Sequence, residues 1–232
     1  MRWQGKTALV TGASEGLGKA TALELARRGA RVIMLARRAD VLASAAREVR
    51  ALGAHVSVRT IAADIADKSA TYAVAAQAQL DGAIDLLVHN ASTLGPLPLR
   101  LCLDTSCEDL QRVLEVNVVG PFRLSKAIAG AMVLRGSGVI VQVSSDAATS
   151  AYPRWGAYGA SKAALEQLGR IWDAELAGSG VRVVSFDPGE MNTAMHAAAL
   201  PEADPSALPA PEAAARRLVD TAETAWSREV QP

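Results

Sequence analysis

Tyr158 and Lys162 stand four residues apart in a stretch rich in alanine and leucine. On a helix this spacing puts both side chains on one face, about a turn apart. A free tyrosine has a pKa of about 10, and a nearby ammonium favours its phenolate. The pair can act as a general acid/base, with a phenol pKa expected below that of free tyrosine. Ser145 follows a short apolar run at 138–143 that reads as a strand, so its hydroxyl can meet the same reacting oxygen. Each residue alone has an ordinary reading, as a surface pair or a helix cap. The three in combination read as a proton-transfer site.

A second constellation lies near the N-terminus, in Thr11-Gly-Ala-Ser-Glu-Gly-Leu-Gly18. Gly12, Gly16 and Gly18 allow a tight turn and close backbone approach, with Ser14, Glu15 and Leu17 between them. A helix that follows such a turn offers free N–H groups and a positive dipole end to a pyrophosphate. Two rival motifs fail on single residues. A triphosphate-binding loop needs Ser or Thr after Lys19, where Ala20 stands, and a glycine five positions before Gly18, where Ala13 stands. The stretch from Gly159 to Ala163 lacks the last glycine of a serine hydrolase elbow. After the next strand, an acid would select the ribose hydroxyl of NAD, but this chain has Arg37 and Arg38. Two guanidiniums favour a 2′-phosphate and hence NADP(H). Glu15 brings an opposing charge close to that same phosphate.

These groups need a scaffold, and the chain supplies one by alternation. Apolar runs at 7–11, 31–35, 55–61, 85–88, 138–143 and 181–186 predict strands buried on both faces. Helices are expected at 19–28 and 40–52, each closed by a glycine (Gly29, Gly53), and at 108–134, 158–177 and 212–226. Asp40 and Asp67 are expected N-caps, and Pro121 should break the long helix near Asn117. The pattern predicts a single α/β domain over 1–232, a Rossmann-type doubly wound parallel sheet. Residues 190–211, rich in proline, read as a lid over the substrate.

Composition removes other classes. Lys and Arg total 24 against 24 Asp and Glu, which does not suit a nucleic-acid binder. No apolar run reaches the roughly 18 residues that span a bilayer, and the start shows no signal-peptide pattern, so a cytoplasmic enzyme is expected. Two cysteines, Cys102 and Cys107, placed in a loop before the long helix, make neither a disulfide framework nor a zinc site. His55, His89 and His196 share no metal-ligand spacing, and no metal is expected.

With these motifs in order, the chain resembles the short-chain dehydrogenase/reductase family from about Gly5 to Thr193. The resemblance rests on the glycine turn, Asp64, His89-Asn-Ala-Ser92, Asn117, Ser145, Tyr158-Gly-Ala-Ser-Lys162 and Pro188-Gly189. It implies that Tyr158 exchanges the proton, that Ser145 holds the substrate oxygen, and that Lys162 binds the nicotinamide ribose and tunes Tyr158. Asn117 would support a water joining Lys162 to solvent. Asp64 and Ile65 would contact adenine, and Asn90, Ala91 and Ser92 would line the cofactor cleft, with Pro188, Gly189, Met191 and Thr193 across it. His89 and Ser92 stand where the family more often has Asn and Gly. A seventh strand, usual in the family, has no counterpart after 226. The family also associates through its long helices, so a homodimer or homotetramer is expected.

The reaction so implied moves hydride between NADP(H) and a carbonyl or secondary alcohol. Segments 147–155 and 191–200 should wall the substrate pocket, with Tyr152, Trp155, Met191 and Met195 apolar and Arg154 open to an anionic group. The alternative is a sensor or scaffold that binds NADP(H) without turnover. A methyltransferase would leave Tyr158 and Lys162 unexplained.

Overall fold

The computed structural model describes residues 3–80 and 82–227; residues 1, 2, 81 and 228–232, part of the expected 1–232 domain, lie outside them. Six strands are found there: β1 (Thr7–Thr11), β2 (Arg31–Ala36), β3 (Val58–Ala62), β4 (Leu86–His89), β5 (Gly138–Val143) and β6 (Val181–Phe186). They pair in parallel throughout, in the order β3-β2-β1-β4-β5-β6. Every residue of β1, β4 and β5 is buried, which is why these strands read as unbroken apolar runs.

Helices α1 (Gly16–Arg27), α2 (Ala39–Arg50), α3 (Lys68–Ala78), α4 (Cys107–Leu114), α5 (Gly120–Arg135), α6 (Gly156–Glu175), α7 (Ala194–Ala199) and α8 (Pro211–Ser227) complete the fold. Side-chain alternation along the strands builds two cores. Val10, Val88 and Val141 join Leu25, Leu42 and Leu218 on one face. Leu9, Leu87 and Ile140 join Val74, Ile128 and Met132 on the other. Each such side chain, fully buried, stabilises the fold by about 1.5–3 kcal/mol before chain entropy is counted.

Several boundaries differ from the sequence expectation. The third strand starts at Val58, because Val56 N–H closes a turn onto the Gly53 carbonyl (3.1 Å) and carries His55 out of the strand. Asp40 is not the cap of α2: the helix starts at Ala39 after Arg38, with no side-chain cap, and Asp40 sits in the first turn. Its charge there still complements the helix dipole. Asp67 does cap α3, accepting from the N–H groups of Ser69 and Ala70 at 2.8 and 3.3 Å. The expected helix 108–134 is α4 and α5 joined by a π-helical turn at Glu115–Val119, with Pro121 in the first turn of α5. Proline lacks the N–H that a helix interior would need, and it is tolerated at that position. Cys107 is the first residue of α4 rather than part of a loop, and both cysteines are free and exposed. Within the described residues, no helix is long and apolar enough to cross a membrane.

Candidate active site

The ends of β1 and β4 are tied by one hydroxyl. Thr11 Oγ1 donates to the Val88 carbonyl (3.1 Å) and accepts from the N–H groups of Asn90 and Ala91, each at 3.0 Å. Asn90 then donates its amide to the carbonyls of Thr11 and Gly12 at 3.0 and 3.1 Å, so its side chain braces the glycine turn. Gly12 has φ +63°, and a Cβ there would stand 2.8 Å from Ala91 Cα. Gly18 is needed for packing: a Cβ would meet the Gly12 carbonyl oxygen at 2.2 Å and Asn90 Nδ2 at 2.4 Å. Gly16, at φ +50°, faces the methyl of Thr193, in the segment 190–211. Glu15, the N-cap of α1, makes no side-chain cap, so none of the first N–H groups of the helix is taken by it.

The turn opens into a cavity of about 530 Å³ at the carboxyl ends of the strands. It lies where the strand order reverses between β1 and β4, the position at which open α/β sheets bind ligands. One side is lined by Gly12, Ser14, Glu15, Gly16 and Leu17 of the turn, by Arg37 and Arg38 after β2, and by Asp64 and Ile65 after β3. Asn90, Ala91 and Ser92 lie in the middle. Ser145, Tyr158 and Lys162 line the other side, opposite Pro188, Gly189, Met191 and Thr193. Of the catalytic and cofactor-binding residues expected from sequence, Gly18 and Asn117 do not line it.

Tyr158 and Lys162 are themselves buried. Tyr158 is 8 % exposed and Lys162 is 2 % exposed. Lys162 Nζ donates to the Val143 carbonyl (2.8 Å) and lies 5.5 Å from the centroid of the Tyr158 ring, which Trp155 meets edge-on. The expected lowering of the phenol pKa is not what this arrangement gives. Burial pushes Tyr158 up to about 12; the hydroxyls of Ser145 and Ser92 pull it down, and the charges of Asp187 and Asp146 push it further up. Burial also lowers Lys162, to about 8, against the raising effect of Asp187. Desolvation disfavours whichever form is charged, so it moves the two groups in opposite directions.

Ser145 caps the short turn at Asp146–Ala148, accepting from Ala147 N–H at 3.2 Å and donating to Asp146 Oδ1 at 3.0 Å. Asp146 Oδ2 accepts from the Tyr152 hydroxyl at 2.8 Å. Asn117 sits in the π-helical turn, 1 % exposed. Its Oδ1 accepts from Thr93 N–H (2.8 Å) and Ser92 (3.1 Å), and its Nδ2 donates to the Thr93 carbonyl and Ser161 Oγ, both at 2.9 Å. The amide therefore ties the loop after β4 to α6.

The expectations for Arg38 and Arg154 change at this level. Arg38 pairs with Glu15 at 2.6 Å, so of the two arginines Arg37 is the one whose guanidinium this ion pair leaves open to a phosphate. Asp64 is raised by burial but lowered more by Ala66 N–H and by Arg112, and the net shift is downward; Arg37 adds to the lowering. Arg154 does not face the main cavity. Its backbone is left-handed (φ +75°), and it lines a smaller cleft with Arg100 and Asp109. His89 is buried against Ser125 Oγ (2.7 Å), with burial alone lowering its pKa to about 3, and it takes no part in the pocket. Sequence reading missed Asp146, Asp187 and Glu190, three carboxylates on the cavity wall. Asp146 adjoins Ser145 and Asp187 adjoins Pro188, and that adjacency was the available signal.

A family model described as short chain dehydrogenase matches residues 6–204. The galactitol 2-dehydrogenase (L-tagatose-forming) of Cereibacter sphaeroides is 41 % identical over 196 residues, covering 84 % of this chain and 74 % of that protein. Two other curated relatives are longer, and the chain spans 62 % of one and 15 % of the other. Among solved structures, a metagenomic short-chain oxidoreductase in complex with NADP superposes with TM-score 0.82 at 29 % identity, over 96 % of this chain and 92 % of that one. An NAD+-bound xylitol dehydrogenase superposes with TM-score 0.78 at 34 % identity, over 82 % and 72 %. A parallel sheet in this order, a glycine turn at its switch point and a match over most of the chain agree: the protein belongs to the short-chain dehydrogenase/reductase family of oxidoreductases.

Proposed function

We propose that this protein interconverts a carbonyl and a secondary alcohol with NADP(H), using Tyr158 as general acid/base. The observation that carries the reading is the buried Tyr158 phenol on the cavity wall, with Lys162 one helical turn away and the Ser145 hydroxyl beside it. The site fits a dinucleotide. Gly12 and Gly16 keep the turn clear of side chains, and the N-terminus of α1 suits a pyrophosphate. Asp64 and Ile65 would receive the adenine, and Asn90, Ala91, Ser92, Pro188, Gly189, Met191 and Thr193 the rest of the cofactor. Bound NADP(H) supplies or takes the hydride.

The chain's own residues handle the proton and the oxygen. In reduction, the Tyr158 phenol gives its proton to the substrate oxygen while the Ser145 hydroxyl turns from Asp146 to donate to it. The ammonium of Lys162 stabilises the phenolate left behind. Asn117 acts through position, holding the β4 loop against α6 so that Ser92 and Tyr158 keep their places. Leu94 and Trp155 exclude water from the reacting group. In oxidation the same steps run backwards. The dehydrogenase names of the relatives support alcohol–carbonyl chemistry. Exposed Phe122, Leu134 and Ile171 on α5 and α6 suit association into a homodimer or homotetramer.

Arg37 is the reason for naming NADP(H), and a fluorescence titration with NADPH and NADH tests it. Tighter NADPH binding is expected. Arg37→Ala should weaken NADPH by about 1.5–3 kcal/mol, the worth of a charge-assisted contact, and leave NADH nearly unchanged. Equal affinity for both cofactors in the wild type would remove that role.

A further inference from the structure

The chemistry end of the cavity holds more carboxylates than the proton transfer uses. Asp146, Asp187 and Glu190 all line it. Asp146 accepts from Ser145 and Tyr152, and its charge reaches Tyr158. The charge of Asp187, whose Oδ1 accepts from Gly189 N–H at 2.9 Å, reaches both Tyr158 and Lys162. Glu190 stands 3.7 Å from His196 Nε2, a buried ring nitrogen on the cavity wall with no hydrogen-bond partner among the described residues.

Nearby cations offset them only in part. Lys162, on the same wall, sets one positive charge against Asp187 while its ammonium donates to the Val143 carbonyl. Arg154 lies in the neighbouring cleft. Arg217 donates to the Pro188 carbonyl and stands over the Phe186 ring, and does not line the cavity. Arg37 and Arg38 follow β2, across the β1–β4 crevice. Leu94, Tyr152, Trp155, Met195 and Leu200 add apolar and aromatic faces to a wall that also carries the hydroxyls of Ser145 and Tyr158. Carboxylates set among aromatic and aliphatic faces suit an organic ammonium, which gains Coulomb attraction from the acids and cation–π attraction from the rings. A carboxylate or phosphate on the substrate would be repelled. A neutral polyol would gain hydrogen bonds to the carboxylates but neither the Coulomb nor the cation–π attraction.

We infer that the pocket selects carbonyl or alcohol substrates carrying an organic ammonium group, with Asp146, Asp187 and Glu190 as the selecting anions and Tyr152 and Trp155 as its aromatic faces. This rests on the alcohol–carbonyl reading given above. Calorimetry tests it on the full chain, with and without NADP+, using three matched ligands: a trimethylammonium methyl ketone, its uncharged tert-butyl isostere and a carboxylate analogue. The cation should bind on the order of ten-fold more tightly than the isostere at low salt, with the gap closing as salt screens it. Asp146→Asn and Glu190→Gln should each shrink the cation-to-isostere ratio a few-fold. Equal or tighter binding of the neutral or anionic ligand, or of a neutral polyol, overturns the inference, as does a ratio indifferent to salt and to both variants. NADPH turnover on the same three ligands is read separately. Cation-selective binding with no turnover of any ligand upholds the inference and sinks the oxidoreductase reading. Turnover without cation preference does the reverse.

Discussion

Burial sets the resting state of Tyr158, because the phenolate loses more on leaving water than the neighbouring hydroxyls return. With its pKa at about 12, the group holds its proton throughout the neutral range. On the proposed mechanism Tyr158 is then poised as an acid, ready for reduction, and oxidation requires alkaline pH to generate its base form. The sign is testable without any substrate. The near-ultraviolet difference between wild type and Tyr158→Phe should show phenolate absorbance only above the pKa of about 10 of a free tyrosine. Phenolate signal below that value would mean that Lys162 overrides burial. Spacing and the family resemblance together pointed to Tyr158, Lys162 and Ser145, which the structure brings to one cavity wall, but the direction of the phenol shift was not legible. Spacing showed the cation; it did not show that Lys162 would be as dehydrated as its partner, or that Asp146 and Asp187 would stand close by.

At the scale of elements, the glycine turn works because α1 lies directly on it. Gly18→Ala drives a methyl into the Gly12 carbonyl, which backbone cannot yield cheaply. We expect a loss of about 1–3 kcal/mol in denaturant unfolding and a marked loss of NADPH affinity. Gly130→Ala in α5, where a Cβ meets nothing within 4 Å, should stabilise by about 0.5–1 kcal/mol. Equal effects of the two variants would show that helix propensity, and not the close approach, governs Gly18. Buried strands and the glycine turn could be read directly, since their apolar runs and glycine spacing follow from local chemistry. The start of α2 could not, because Asp40 is a favoured cap residue while the helix begins at Ala39, after Arg38, with no side-chain cap. Pro121 marked the break near Asn117, but its π-helical form answers to packing: Gly120 approaches Ile65 so closely that a Cβ would stand 2.6 Å from the Ile65 carbonyl oxygen.

At the scale of the molecule, α8 packs on α1 and is held there by charge as well as by its apolar face. Arg28 donates to Glu24 (2.7 Å), Asp220 (2.6 Å) and Glu223 (3.1 Å), and Glu223 also accepts from Trp3 at 2.7 Å. Discounted for partial exposure, Arg28→Met should lower stability by about 1–2 kcal/mol, measured by denaturant unfolding. An unchanged midpoint would mean that Leu218 and Val219 hold α8 unaided. The same packing reaches segment 190–211, since Arg217 of α8 donates to the Pro188 carbonyl and Asn192 N–H to the Pro209 carbonyl (2.9 Å). The glycine turn, the loop after β4 and segment 190–211 border one cavity, where Tyr158 is proposed to move a proton. The most direct test follows NADPH consumption across a panel of ketones and aldehydes by wild type and Tyr158→Phe, with NADPH affinity measured in parallel. The account predicts turnover by the wild type, a loss of about 10²-fold or more in the variant and affinity within a few-fold. Turnover by Tyr158→Phe at the wild-type rate would contradict it.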